Sequence, residues 1–213
     1  MEPAKSKREI VYEYLLRELI SNHYEAGERM NISQIASDCH VSEIPVREAL
    51  RQLEGDGYVR FTPNQGAFAI GITRASVSQI VQVKGVLEGF ASRLSLDYLT
   101  RDDIAELKRL EQEMVDAMER KDREVYSLLN KQFHSLIYHK CNNNELIKVL
   151  DNLWKRWVIT SKVFGTVTRM SESCAEHHHI IELIEQKEYE ALEGYVREHK
   201  FKSVVYWMLN PGG

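Results

Sequence analysis

The chain is poor in the features that give most function classes away. No apolar run approaches the ~18 residues that a membrane-spanning helix needs, and the first ten residues, MEPAKSKREI, lack the apolar core of a secretory signal. A cytosolic location with no membrane partner is therefore expected. Cysteine is scarce: Cys39, Cys141 and Cys174 are odd in number, far apart and never spaced as CxxC. That argues against a disulfide framework and a thiolate zinc site and leaves packed, reduced thiols. Positive charge is not in excess either. Residues 1–72 carry 8 Lys+Arg against 11 Asp+Glu, and the remainder 20 against 21. A nucleic-acid-binding domain is usually strongly basic, so composition argues against DNA and such a function has to rest on local geometry. Internal repeats and low-complexity tracts are missing as well. What remains, 213 residues at 43% hydrophobic content, suits one large or two small globular domains.

Apolar residues at helical spacing open the chain. Ile10, Val11, Tyr14, Leu15 and Leu19 recur every three or four residues, which marks one face of a helix from Lys7 to about His23. The segment YEAGER breaks it. A short second helix fits ISQIASDC, with Ile35, Ala36 and Cys39 inward, and the turn HVS leads to a third. Ser42 suits an N-cap whose hydroxyl satisfies a free amide, and Pro45 falls in the first turn, where a missing N–H costs nothing. Val46, Ala49, Leu50 and Leu53 form the buried stripe, and GDG at 55–57 ends the helix with residues that tolerate left-handed backbone. Next, YVRFTPNQGAFAI places Val59 and Phe61 before a Pro-Asn-Gln-Gly turn and Phe68 and Ile70 after it, a short hairpin.

Three helices, a tight turn between the second and third, then a hairpin, is the order of a winged helix-turn-helix. The third helix of such a domain enters the major groove by its N-terminal residues, because that groove admits a helix and displays distinct base edges. Arg47 and Arg51 are four apart, on an exposed face opposite the Val46/Leu50/Leu53 stripe. Arg47 is near enough to the helix start to reach a guanine edge, while Arg51 and Arg60 suit phosphates. For any one arginine, a solvated helix face is the simpler reading; the capped start, the wing and the shared face favour DNA contact.

The segment from YEAGERM to NQGAF resembles the DNA-binding domain of the GntR family of bacterial regulators over about 45 residues, VREAL and the following LxxxG spacing carrying the likeness. The resemblance implies base or phosphate contact by Arg47 and Arg51, helix capping by Ser42 and a wing tip at Asn64, Gln65 and Gly66. Two residues depart from the family pattern. Glu43 stands where many members have a basic residue, and His40 replaces a usual glycine at the turn. A carboxylate at 43 either accepts from a cytosine amine or favours the helix N-terminus while repelling phosphate.

From Thr73 the pattern is wholly helical. Helices are expected near residues 76–98, 101–121, 123–140, 144–163, 171–187 and 188–209, with junctions cued by a TRDD capping box at Thr100 and Asp103, by KD at 121, CNNN at 141 and KEY at 187. Six helices with short connections imply an antiparallel bundle, joined to the first domain by ITRAS at 72–76. Asn130 and His134 project from one helix face, His177 lines up with Ile180, Ile181 and Ile184, and His199 with Leu192, Tyr195 and Val196. His178 and His179 lie off that line. Three inward imidazoles and an amide oxygen suit a late divalent ion such as zinc or nickel with room for a water or a carboxylate. Three separate core histidines are the alternative.

Residues from about 75 to 208 resemble the FCD-type effector domain of the FadR-like branch of the same family, through KGVLE, NKQFH, EHHHI and REH. This likeness puts Asn130, His134, His177 and His199 on the family's metal-ligand positions, with Asn130 in place of an aspartate, and implies one divalent ion per chain. Lys84 stands for the family arginine that meets an effector carboxylate, as a point charge without the bidentate fork. Arg156 is a further pocket candidate or else a solvated charge, and Glu88 a structural partner. The expected fold is mainly α, a winged helix-turn-helix at 1–72 followed by an all-α antiparallel bundle at 76–209. Such a chain is a homodimeric transcriptional regulator, in the sense of a repressor, that binds a short pseudo-palindromic duplex and changes its affinity for it when a small carboxylate effector binds beside a metal. Rival readings are a three-histidine metalloenzyme, against which no clear general base accompanies the cluster, and a helical scaffold that uses its N-terminal domain for protein contact.

Overall fold

The computed structural model describes residues 5–21, 23–70, 74–157 and 166–209. Two compact units divide the chain, Met1–Ser76 and Val77–Gly213. In order, the elements are α1 (Lys7–Ile20), β1 (Arg29–Met30), α2 (Ile32–Asp38), α3 (Glu43–Gly55), β2 (Val59–Thr62), β3 (Gly66–Ala69), α4 (Arg74–Ser95), α5 (Arg101–Glu119), α6 (Arg123–Tyr138), α7 (Asn144–Trp157), α8 (Val167–Gln186) and α9 (Tyr189–Leu209). The linker expected at 72–76 and the end of the helix expected at 144–163 fall in part outside the described residues.

In the first unit, a capping box between Ser6 and Glu9 starts α1, which ends at Ile20 rather than His23. Val11, Leu15 and Leu19 bury their side chains, but Ile10 is 47% exposed, on the outer edge of the stripe. The Asn31 side chain accepts from the Ser33 and Gln34 amides to start α2. The turn into α3 runs through His40 at φ 53, a left-handed conformation that explains why glycine suits this position. Ser42 occupies the N-cap position with extended backbone, but its hydroxyl makes no capping bond, which corrects the expectation from its residue type. Gly57, at φ 81, makes the exit. Val46, Ala49, Leu50 and Leu53 are all buried.

The hairpin carries a third strand that alternation did not predict, since two residues are too few to show any. β1 pairs antiparallel with β3, and β3 with β2, in the order β1-β3-β2. The register Arg29↔Phe68 and Arg60↔Phe68 puts those three side chains on one face. Met30, Val59, Ala67 and Ala69 take the buried face, whereas Phe68 is half-buried on the other and Ile70, just past β3, is exposed.

In the second unit, the Thr100/Asp103 capping box starts α5, and the Asp122 carboxylate accepts from Val125 to start α6. Lys121, Asn142 and Lys187 turn the chain at left-handed φ. Leu107, Leu110 and Met114 of α5, Phe133 and Ile137 of α6, Ile180 and Ile184 of α8, and Leu192 and Val196 of α9 share one core. α4 crosses α9 at close range: a Cβ added to Gly89 would stand 2.5 Å from the Glu193 carbonyl oxygen, and one on Gly85 2.9 Å from the Phe201 ring. Only glycine permits that approach, and it brings Lys84 and Glu88 against Lys200. Among the described residues no helix is long and apolar enough to cross a membrane.

Candidate metal centre and nucleic-acid interface

The exposed face of α3 carries its cations in harness. Arg47 Nη2 donates to Glu43 at 3.0 Å, and the other oxygen of Glu43 accepts from the Ser33 hydroxyl at 2.8 Å. Those bonds, the Ser33 one first, hold the Glu43 carboxyl below its ordinary value. Arg51 pairs with Glu54 at 2.8 Å and lies 3.9 Å over the Phe61 ring, while Glu54 also accepts the Phe61 amide. Both guanidinium groups remain largely exposed, at 59% and 64%. Arg60 stands exposed on the outer face of the sheet; Asn64 (φ 61) and Gln65 lie in the turn between β2 and β3, and Gly66 (φ 101) opens β3. Ser42 is exposed at the start of α3.

Three histidines meet inside the second unit. His134 of α6, His177 of α8 and His199 of α9 are 2% exposed or less. His134 Nε2 lies 3.1 Å from His177 Nε2 and 3.2 Å from His199 Nε2. Two metal–nitrogen bonds of about 2.0–2.1 Å, opened by a right angle to a tetrahedral one, put their nitrogens ~2.8–3.4 Å apart. The spacing fits a shared divalent ion. Burial first, then the positive charge of neighbours such as Lys200, pushes His134 far below its ordinary pKa; burial does the same for His177, and His199 falls to about 4 against the opposing pull of Glu176. The rings are neutral at pH 7, so each has a lone pair to give. The Oδ1 of Asn130, a residue 3% exposed on the same helix as His134, has no hydrogen-bond partner among the described residues and so keeps its lone pairs.

Behind the imidazoles stand carboxylates. His199 Nδ1 donates to Glu176 at 2.6 Å, which fixes Nε2 as the ring's acceptor. Burial alone would raise the Glu176 carboxyl, but His199 and Arg169 bring it down to about 2. Arg169, itself 1% exposed, donates to Glu176 at 2.7 Å and to Ser203 at 3.1 Å. Glu88 approaches His134 Nδ1 at 3.8 Å and pairs with Lys84 and with Lys200, each at 3.0 Å. Lys84 also lies 3.3 Å over the Trp154 ring. Sequence reasoning missed Lys200, Glu176 and Arg169. The i to i+1 step from His199 to Lys200 hides the lysine, since adjacent helical side chains diverge: His199 turns to Glu176 and His134, and Lys200 to Glu88 of α4. Lys84 is therefore one step removed from the imidazoles, with Glu88 between. Arg156 lies on α7, its side chain outside the described residues. His178, 64% exposed, pairs with Glu111, and His179 with Glu182, both away from the cluster. A cavity of about 640 Å³ opens between α8 and α9, and Arg169, Glu176, Lys202 and Tyr206 are among its walls.

Comparison with known proteins matches residues 7–69 to the model described as bacterial regulatory proteins, gntR family, and residues 79–200 to the FCD domain. The Nta operon transcriptional regulator of Aminobacter aminovorans is 27% identical over 180 residues, 84% of each chain. The gluconate operon transcriptional repressor of Bacillus licheniformis is 28% identical over 139 residues, 63% of this chain and 55% of that one. Among solved structures, E. coli McbR/YncC aligns at a TM-score of 0.75 and 23% identity over 97% of this chain and 99% of its own, a likeness of fold.

Proposed function

The chain belongs to the gntR family of bacterial transcriptional regulators and carries an FCD domain, and from that premise we propose that it is a cytoplasmic, homodimeric, metal-bearing repressor released or tightened by a small organic acid. Residues 1–72 are assigned to DNA and residues 76–209 to effector binding and dimerisation. Repression follows the name of the gluconate operon relative. One observation carries the metal reading: three buried Nε2 atoms converge at spacings that fit one ion.

In this reading His134, His177 and His199 hold zinc or nickel, with the Asn130 oxygen as a fourth donor. A bound ion supplies a Lewis-acidic position for an oxygen ligand of the effector. Glu176 orients the ring of His199 through its 2.6 Å bond to Nδ1, while Glu88 lends its charge at 3.8 Å from His134 Nδ1. The effector carboxylate competes with Glu88 for the Lys84 ammonium, and Arg156 is a further pocket cation. On the DNA side, Arg47 reads a base edge, Arg51 and Arg60 meet phosphates, Asn64, Gln65 and Gly66 form the wing tip, and Ser42 and Glu43 flank the helix start. Dimerisation is supported by an exposed apolar stripe on α4, Val83 and Val86 at 52% and Phe90 at 41%, and by the two-fold symmetry of paired half-sites. Coupling between effector and operator of about 1–3 kcal/mol is expected, the usual size of an allosteric effect.

The test is elemental analysis of protein purified without chelators. About one divalent ion per chain is expected, with lower occupancy in His134→Ala, His177→Ala and His199→Ala and none lost in His178→Ala. Metal-free protein that takes up neither zinc nor nickel returns the histidines to core residues.

A further inference from the structure

We infer that a notch between the wing and the recognition helix seats one backbone phosphate of duplex DNA, and that Arg29 holds it. The notch has a volume of about 430 Å³, with Arg29, Ser33, Glu43, Arg47 and Gly66 among its walls. In a winged helix-turn-helix the third helix lies in the major groove and the wing beside it, so the sugar-phosphate strand that separates two grooves has to pass between them. That strand is what the notch is shaped to admit.

The arginine is set apart from the two of α3. Arg47 and Arg51 are each paired with a carboxylate of their own helix. Arg29 is exposed and has no ion-pair partner among the described residues. Its register opposite Phe68 puts its side chain on the sheet face that Gly66 also shares, and its Nε lies 3.6 Å from where a Cβ on Gly66 would stand. The guanidinium thus extends along β3 to the start of the wing turn. Gly66 leaves the space open and, at φ 101, has a backbone few other residues adopt. Glu43 lines the same notch and repels a phosphate, yet both of its oxygens are already engaged, by Ser33 and Arg47. An uncommitted cation with five donors beside it is the group that wins the phosphate. Arg29 escaped sequence reasoning because it precedes the helix-turn-helix and its strand is two residues long.

The inference rests on the DNA-binding reading and is tested with the full chain in fluorescence-anisotropy titrations at several KCl concentrations. Two duplexes serve as probes: one of mixed sequence, and one selected by the protein itself from a random pool. Arg29→Gln should weaken both by a common factor of about 3–10 and flatten the slope of log K against log[KCl] by about 0.9. Arg29→Lys should restore most of the slope, because the charge returns. Thermal melts of the variants at wild-type midpoints establish that the fold is kept. Unchanged affinity and slope overturn the seat, as does a loss confined to the selected duplex, which makes Arg29 a base reader. Wild-type protein that binds neither duplex overturns the DNA-binding reading itself.

Discussion

The two units hold their charges on opposite terms. On α3 the ion pairs Arg47–Glu43 and Arg51–Glu54 are short, local in sequence and open to solvent. Such pairs contribute little to stability, since water and salt screen them. In the second unit Lys84, Lys200, Glu88, Glu176 and Arg169 are at most 8% exposed, and their pairings join α4 to α9 and α8 to α9. Buried charges gain strong attraction only by meeting a heavy desolvation cost, so removing one partner is far more damaging than the pair is stabilising. The first kind of pair can be removed with little loss of stability. The second kind can be traded only for another anion in the same place, which is the property an acid-responsive site needs.

Removing the shared carboxylate tests that contrast most severely. Glu88→Ala should cost about 3–5 kcal/mol, because it leaves two ammonium groups of like charge in one buried space. Burial on its own would raise the Glu88 carboxyl, and it is Lys200 and Lys84 that hold it lowered. Denaturant unfolding followed by tryptophan fluorescence reports the loss, since Trp154 packs on Lys84. The matching surface change, Glu43→Ala, should leave the unfolding midpoint within experimental scatter. Equal effects from the two variants would erase the distinction.

A smaller effect separates the two arginines within the first unit. Arg47→Ala should cost about 1–3 kcal/mol of operator affinity and relax preference at one base position. Arg51→Ala should weaken all sequences evenly and flatten the salt dependence, as loss of a phosphate contact does. Its stacking on Phe61 and pairing with Glu54 hold it in one pose, suited to a backbone and not to a choice among bases. Base-by-base operator scans of the two variants check this. A shared loss at the same base would merge their roles.

Much of this architecture is legible in the sequence. The Thr100/Asp103 capping box, the α3 stripe and the six later helices all rest on local signals that a sequence displays directly. Helix ends were less legible: α4 starts at Arg74 and ends at Ser95, two or three residues before the expected bounds, because nothing in the side chains marks where packing stops. What failed to show was long-range. Strand β1 exists only through its pairing with β3. The close α4–α9 crossing is written in the spacing of Gly85 and Gly89, but a glycine four residues from another signals nothing until the facing helix is known. Glu176 and Lys200 sit beside the histidines that drew attention, and their roles come from which neighbours the fold brings to them. Ser42 erred in the other direction: residue type predicted a capping hydroxyl, while α3 begins without that bond.

The mildest effect belongs to a group between the two extremes. Asp103 is 13% exposed and accepts from the Thr100 amide and hydroxyl at the start of α5, while Lys140, 37% exposed, pairs with it at 2.8 Å. The Lys140 bond, followed by those of Thr100, brings its carboxyl from 3.8 down to about 2 against the upward push of burial. A folded-state value below the unfolded one means that the folded chain releases this proton more readily, so the stabilisation is complete above about pH 5 and fades as pH falls towards about 2. Because the lysine is more than a third exposed, screening limits the contribution to about 1 kcal/mol or less. Asp103→Asn keeps an oxygen for the Thr100 amide and removes only the charge. In urea titrations the wild type should exceed this variant by a constant margin from pH 7 to about 5, and the margin should close below that. A margin that persists into strong acid would mean that the cap, not the charge, supports α5. One that widens as pH falls would reverse the sign and place Asp103 among groups whose folded pKa is raised.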